Sequence, residues 1–176
     1  QRRGILLCGM LATMLALAVN RALASSLAHR PRPAHDVALG FVPPLGLRPR
    51  LFNDLSSFPS DHAVMFVGLA ATLLIASRGL GVVALLHGIV VALLPRIYLG
   101  LHWPSDLLAG ALLGLAFVLP MARPKVRAAI AAPILAFGER RPALFHTGFF
   151  LLLFGFATLF DPIVKLAEAV RRLFTA

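Results

Sequence analysis

The sequence predicts an all-α protein, a polytopic transmembrane helical bundle of five spans carried as a single domain over residues 1–176. Three observations predict it. Hydrophobic residues make up 59% of the chain and charged residues 14%, whereas a soluble domain is about half apolar and a quarter charged. The mean hydropathy is +0.87. The apolar residues gather into runs near the length of a bilayer crossing, and the breaks between them hold the Pro, Arg, His and Asp.

The first run, Gly4 to Leu27, is interrupted by Asn20 and Arg21 near its end. Arg2, Arg3 and Ala22-Leu23-Ala24 also resemble the basic end and small-x-small site of a cleaved leader. Because the run leads straight into candidate site residues, it is read as a retained helix. From His29 to Phe58 the apolar periodicity stops, leaving a loop of a length that points to function. Ser60 to Ser77 is the second span and Leu80 to Leu94 the third. Their tight connection at Arg78-Gly79 makes them antiparallel neighbours. His87 lies in the middle of the third span and is expected to face a buried partner. Pro104 suits the first position of the fourth helix, with Asp106 in its first turn and Leu107 to Leu119 behind. Val126 to Phe137 reads as a short interfacial segment, and Leu144 to Phe160 as the fifth span with His146 at its interface. After Asp161-Pro162, apolar positions at helical spacing predict a tail lying on the membrane surface.

Chemistry concentrates in three places. Phe58-Pro59-Ser60-Asp61-His62 puts a good N-cap, Ser60, before an apolar helix, so unpaired N–H groups point out of its start and attract anions. His62 adds a proton donor or acceptor that a cap does not need. His29-Arg30-Pro31-Arg32-Pro33 holds two guanidinium groups on stiffened backbone, which suits phosphate binding. Arg96, His102 and Asp106 form the third cluster, with a carboxylate placed to orient an imidazole. If the spans alternate, all three clusters meet on one face of the membrane.

Seventeen Lys and Arg oppose seven Asp and Glu, a net charge of +10. On a membrane protein this suits anionic lipid headgroups. The basic residues are interrupted by apolar spans rather than gathered on one surface, which argues against nucleic acid. The face opposite the site receives Arg2, Arg3, Arg78 and the connection from Arg123 to Arg141. The bias of Lys and Arg toward the cytoplasm makes that face internal and the site external. A single cysteine, Cys8, excludes an intramolecular disulfide.

Arg32-Pro33, Pro59-Ser60-Asp61-His62 and Arg96-x5-His102-x3-Asp106 resemble, in order and spacing, the signature blocks of the type 2 phosphatidic acid phosphatase family. That family shares its site with vanadium haloperoxidases and glucose 6-phosphatase. The resemblance implies a phosphatase independent of metal or other cofactor, built on a bundle one N-terminal helix larger than the spans visible here. It implies that His102 attacks phosphorus, that Asp106 orients it and that His62 protonates the leaving oxygen. It also implies that Arg32, Arg96, Ser60 and the backbone N–H of Asp61 hold the phosphoryl oxygens. Arg30 is added as a further phosphate-binding residue from its place in the loop.

Three positions depart from the family pattern: Ser25 stands where a Lys is usual, Pro95 where Ser is, and Asp61 where Gly is. Arg21, one helical turn before Ser25, could reach the position of the missing Lys. The wording of the blocks is most similar to the undecaprenyl-diphosphate phosphatase branch. The expected function is therefore an outward-facing phosphatase of a polyprenyl diphosphate in a bacterial inner membrane, with lipid substrate and bilayer as partners. Phosphatidate, phosphatidylglycerol phosphate and lipid A phosphate are alternative substrates. A non-catalytic lipid-phosphate binder or transporter is the alternative of another class.

Overall fold

The computed structural model describes residues 2–42, 44 and 56–159. They divide into two compact units with a boundary after Ile130, each described by itself. In the first unit, α1 spans Arg2–Ser26, α2 Asp61–Ala76, α3 Arg78–His87, α4 Leu94–Tyr98 and α5 Pro104–Val118. Helix α6, Pro124–Arg140, begins in this unit, and α7 is Pro142–Ala157. No strand occurs among the described residues, and the helical class expected from composition is the one found.

Helix α2 is central, packed against α1, α3 and α5. It runs antiparallel to α1 through two reciprocal contacts. A Cβ at Gly68 would lie 2.8 Å from the Thr13 hydroxyl, and one at Gly9 would strike Thr72. Each threonine satisfies its own hydroxyl on the glycine carbonyl one turn back, Thr13 on Gly9 at 2.8 Å and Thr72 on Gly68 at 2.9 Å. Two buried polar groups are thereby closed within their helices while the helix surfaces touch. Helix α5 runs parallel to α2. A Cβ at Gly110 would collide with the Ser60 carbonyl oxygen, and one at Gly114 would lie 2.7 Å from that of Val64. The Gly-x3-Gly spacing therefore lets two helix starts lie side by side, which in lipid is how close backbone packing is achieved.

Among the described residues, three helices are long and apolar enough to cross a membrane: Arg2–Ser26, Arg78–Tyr98 and Pro104–Ala122. The chain is a membrane protein. Helices α2 and α7, the second and fifth spans expected from sequence, have 16 residues each and reach about 24 Å. The third span runs four residues beyond Leu94, through Pro95 to Tyr98. A π-helical segment, Gly88–Leu93, precedes the proline, with Leu94 N–H bonded to Ile89 O. Widening the turn just before a residue without an N–H lets the helix continue and rotates its last turn by about 100°. His87 is exposed rather than facing a buried partner, because α3 buries Gly81 alone among its residues.

The expected interfacial segment is a longer helix, α6, with Pro133 inside it. In the second unit, Phe145 packs on Gly138 and stacks on Phe149 with ring centroids 6.3 Å apart. His146 on α7 is exposed. The tail expected after Asp161 lies outside the described residues.

Candidate active site

The site forms at the end of the first unit where α1 finishes and the parallel helices α2 and α5 both begin. Two helix N-termini, each with partial positive charge, therefore point the same way. Ser60 caps α2, its hydroxyl accepting from Ala63 N–H at 3.5 Å. Its own N–H donates to the Asp106 carbonyl at 3.1 Å, tying the two helix starts together. Asp61 turns its carboxylate onto α1, accepting from Asn20 Nδ2 at 2.7 Å and from Arg21 Nε at 3.0 Å. Asn20 is fully buried, and the same Nδ2 also donates to Pro59 O at 3.1 Å.

The loop after α1 is stitched to both later clusters. Ala34 N–H donates to Gly100 O at 2.9 Å and Ser57 N–H to Arg30 O at 2.9 Å. Trp103 Nε1 donates to Pro31 O at 3.0 Å. Gly100 sits at φ +68°, and a Cβ there would lie 2.7 Å from the Phe41 ring. Both the left-handed turn and the close approach require glycine.

His102 is buried at 6% exposure and Asp106 is fully buried. The Nδ1 of His102 lies 2.8 Å from the Ser57 carbonyl oxygen and 3.7 Å from Asp106 Oδ2. A carbonyl oxygen only accepts, so Nδ1 carries the hydrogen, and in the neutral ring the lone pair is on Nε2. Asp106 is engaged elsewhere: Oδ2 accepts from Trp103 N–H at 2.8 Å and Oδ1 from Arg30 Nη1 at 2.8 Å. Its place in the first turn of α5 explains the first of these, since a carboxylate there reaches back to the capping residue.

Arg32 Nη1 donates to Leu101 O at 3.1 Å. The Nε atoms of Arg32 and Arg96 are buried and have no hydrogen-bond partner among the described residues. Burial lowers the Arg32 pKa from its ordinary value, with Asp106 and Asp61 opposing the shift. Arg96 lies within the field of Arg32. His62, half-buried in the first turn of α2, lies within the fields of Arg96, His102, Arg32 and Arg21. Two half-buried guanidinium groups sharing one region, each with a buried Nε donor unpaired among the described residues, are costly to the free protein. An anion bound between them and the two helix starts relieves that cost. Among the described residues no three His, Cys, Asp or Glu side chains gather as metal ligands.

The residues singled out from sequence, Arg30, Arg32, Ser60, Asp61, His62, Arg96, His102 and Asp106, are drawn together at this end. Two of the expected contacts take another form. The hydrogen bond at His102 Nδ1 goes to Ser57 rather than to Asp106, and the Arg30 guanidinium lies on Asp106 and Ser105. Sequence reasoning missed Ser57, whose contribution is a backbone carbonyl and leaves no mark in side-chain chemistry. It also missed Asn20, for which the signal was present: an amide inside an apolar run needs a buried partner.

Among curated proteins, the chain is similar to the undecaprenyl-diphosphatase of Sulfolobus acidocaldarius, 39% identical over 59 residues. That stretch covers 33% of this chain and 28% of the relative's length. No solved structure matches the chain. The model of the PAP2 superfamily matches residues 5–128, a range that runs from the first turn of α1 through α5 and takes in every residue of the cluster, and the chain belongs to that superfamily.

Proposed function

We propose that the chain is a membrane phosphatase that releases the terminal phosphate of a lipid phosphate or diphosphate through a phosphohistidine. The best-supported substrate is a polyprenyl diphosphate such as undecaprenyl diphosphate, which leaves the lipid monophosphate. The observation that carries the reading is the pair of buried Nε donors on Arg32 and Arg96, unpartnered among the described residues, lying with His62 and His102 at the starts of two helices. Such donors suit the non-bridging oxygens of a phosphoryl group and strengthen their hold as charge develops in the transition state. The family and the name of the relative support the same chemistry.

With its hydrogen held at Nδ1 by Ser57, His102 attacks phosphorus through Nε2, and the bond to the leaving oxygen breaks in line. His62 gives that oxygen a proton. Water, deprotonated by His62, then cleaves the P–N bond, freeing phosphate and restoring both histidines. Arg32, Arg96, the Ser60 hydroxyl and the N–H groups at the start of α2, that of Asp61 among them, hold the phosphoryl oxygens. The reaction proceeds without a metal. The isoprenoid tail stays among apolar helix faces while the headgroup reaches the loop. The site faces the cell exterior or periplasm of a bacterial inner membrane, and residues 1–176 act as one domain.

The test is phosphate release by detergent-purified protein from undecaprenyl diphosphate and phosphatidate side by side, in excess chelator, with His102→Ala as control. Release that survives chelation and disappears in the variant supports the reading, and the faster substrate identifies the lipid. The Ser25 and Pro95 departures favour a second reading, a binder of lipid phosphates without turnover. Binding of orthovanadate with no release from either lipid would establish that second reading instead.

A further inference from the structure

Arg30 reads from sequence as a phosphate ligand, yet its guanidinium is engaged within the protein. Nη1 donates to Asp106 Oδ1 at 2.8 Å and to Ser105 Oγ at 2.9 Å. The guanidinium carbon lies 5.4 Å from the Trp103 ring centroid and 5.8 Å from that of Phe58, so two aromatic faces hold it. Its backbone is equally committed. The Arg30 carbonyl accepts from Ser57 N–H at 2.9 Å, and its N–H donates to Ser56 Oγ at 3.3 Å.

Both groups nearest His102 Nδ1 are thus fixed by one residue. Ser57, whose carbonyl takes the Nδ1 hydrogen, is anchored through its own N–H on the Arg30 carbonyl. Asp106, 3.7 Å from the same nitrogen, is held by the Arg30 side chain. Asp106 is fully buried, and a buried carboxylate is retained as a charge only where a cation and hydrogen bonds compensate it. Arg30 supplies that cation, while Arg32 and Arg96 keep unpaired donors.

We infer that the Arg30 side chain is a positioning group for His102, acting through Asp106, and that it is not a phosphate ligand. Its work is to keep a fixed carboxylate beside the imidazole as positive charge grows on the ring during attack on phosphorus. This inference rests on the phosphatase reading above and extends it to a residue outside the phosphate clamp.

The test compares R30Q, R30K and R32Q with the wild-type protein. In R30Q, kcat falls about tenfold or more, while KM and inhibition by orthovanadate stay within about twofold. R30K, which keeps the charge and loses the planar stack, recovers only part of the loss. R32Q weakens orthovanadate inhibition about tenfold or more. In parallel, 15N-histidine NMR of the resting protein shows the His102 ring signals moved in R30Q, with those of the exposed His87 unchanged. Weakened orthovanadate inhibition in R30Q with kcat held would overturn the inference, as would unmoved His102 signals. Should R30Q fail to fold, R30K replaces it in every comparison, with a several-fold loss of kcat expected. A wild-type protein without turnover would sink the phosphatase reading alone. The NMR comparison would then decide the role of Arg30 by itself.

Discussion

His102 donates its Nδ1 hydrogen to the Ser57 carbonyl oxygen across 2.8 Å, while Asp106 Oδ2 stands 3.7 Å from the same nitrogen. The ring is therefore oriented by backbone, and the carboxylate acts on it as a nearby charge. Removing that charge leaves the tautomer in place. Asp106→Asn is expected to lower kcat by about 10–100-fold, and His102→Ala by about 10⁴-fold or more. Single-turnover phosphate release on the two variants checks the order. Equal losses would mean that Asp106, and not Ser57, fixes the ring.

Arg32 and Arg96 set function against stability. Each holds a buried Nε without a partner among the described residues, a strain on the free protein that a bound anion removes. Arg96→Met is expected to abolish turnover and yet to leave the thermal midpoint of the ligand-free protein unchanged or higher. The same variant loses the stabilisation that orthovanadate gives the wild type. A lowered midpoint without ligand would show that Arg96 is structural.

Much of this was legible in the sequence, for reasons visible in particular residues. Ser60 announces a helix start because its hydroxyl is a good cap, and Pro104 with Asp106 announces another. The spacing from Arg96 to His102 to Asp106 then gives the cluster. The π-helical segment before Pro95 was not legible, since proline at the end of an apolar run reads as a stop and the widened turn that accommodates it has no side-chain signature. Nor was the engagement of Arg30, since a basic loop residue looks alike whether it meets a substrate or a buried carboxylate. His87 misled for a related reason: periodicity along α3 does not say which face the neighbouring helices leave uncovered.

Asn20 joins the end of α1 to the start of α2 through one amide nitrogen, which donates to Pro59 O and to Asp61 Oδ1. Asn20→Ala leaves the Pro59 carbonyl without this donor and leaves Asp61 with Arg21. A loss of about 1–3 kcal/mol is expected, the cost of unmaking buried hydrogen bonds. The reduced midpoint should be accompanied by weaker orthovanadate binding, because Asp61 begins the helix whose N–H groups face the site. Thermal unfolding in detergent with and without orthovanadate reads both. An unchanged midpoint would mean that Arg21 alone secures Asp61.

Gly110 makes the sharpest test of how the fold serves the site, because its contact is with the Ser60 carbonyl itself and not with a side chain that can swing away. A methyl group there must push α5 from α2 or displace the first turn of α2, on which Ser60, Asp61 and His62 all lie. Gly110→Ala is therefore expected to cost about 1–3 kcal/mol and to reduce kcat out of proportion to the fraction of folded protein. Gly79→Ala is the matched control, since a Cβ at Gly79 meets nothing within 4 Å, and alanine there should leave stability and turnover at wild-type levels or slightly above. Thermal unfolding and phosphate release on the two variants make the comparison. Full activity in a stably folded Gly110→Ala protein would mean that the starts of α2 and α5 can separate without consequence, and that the chemistry does not depend on holding them side by side.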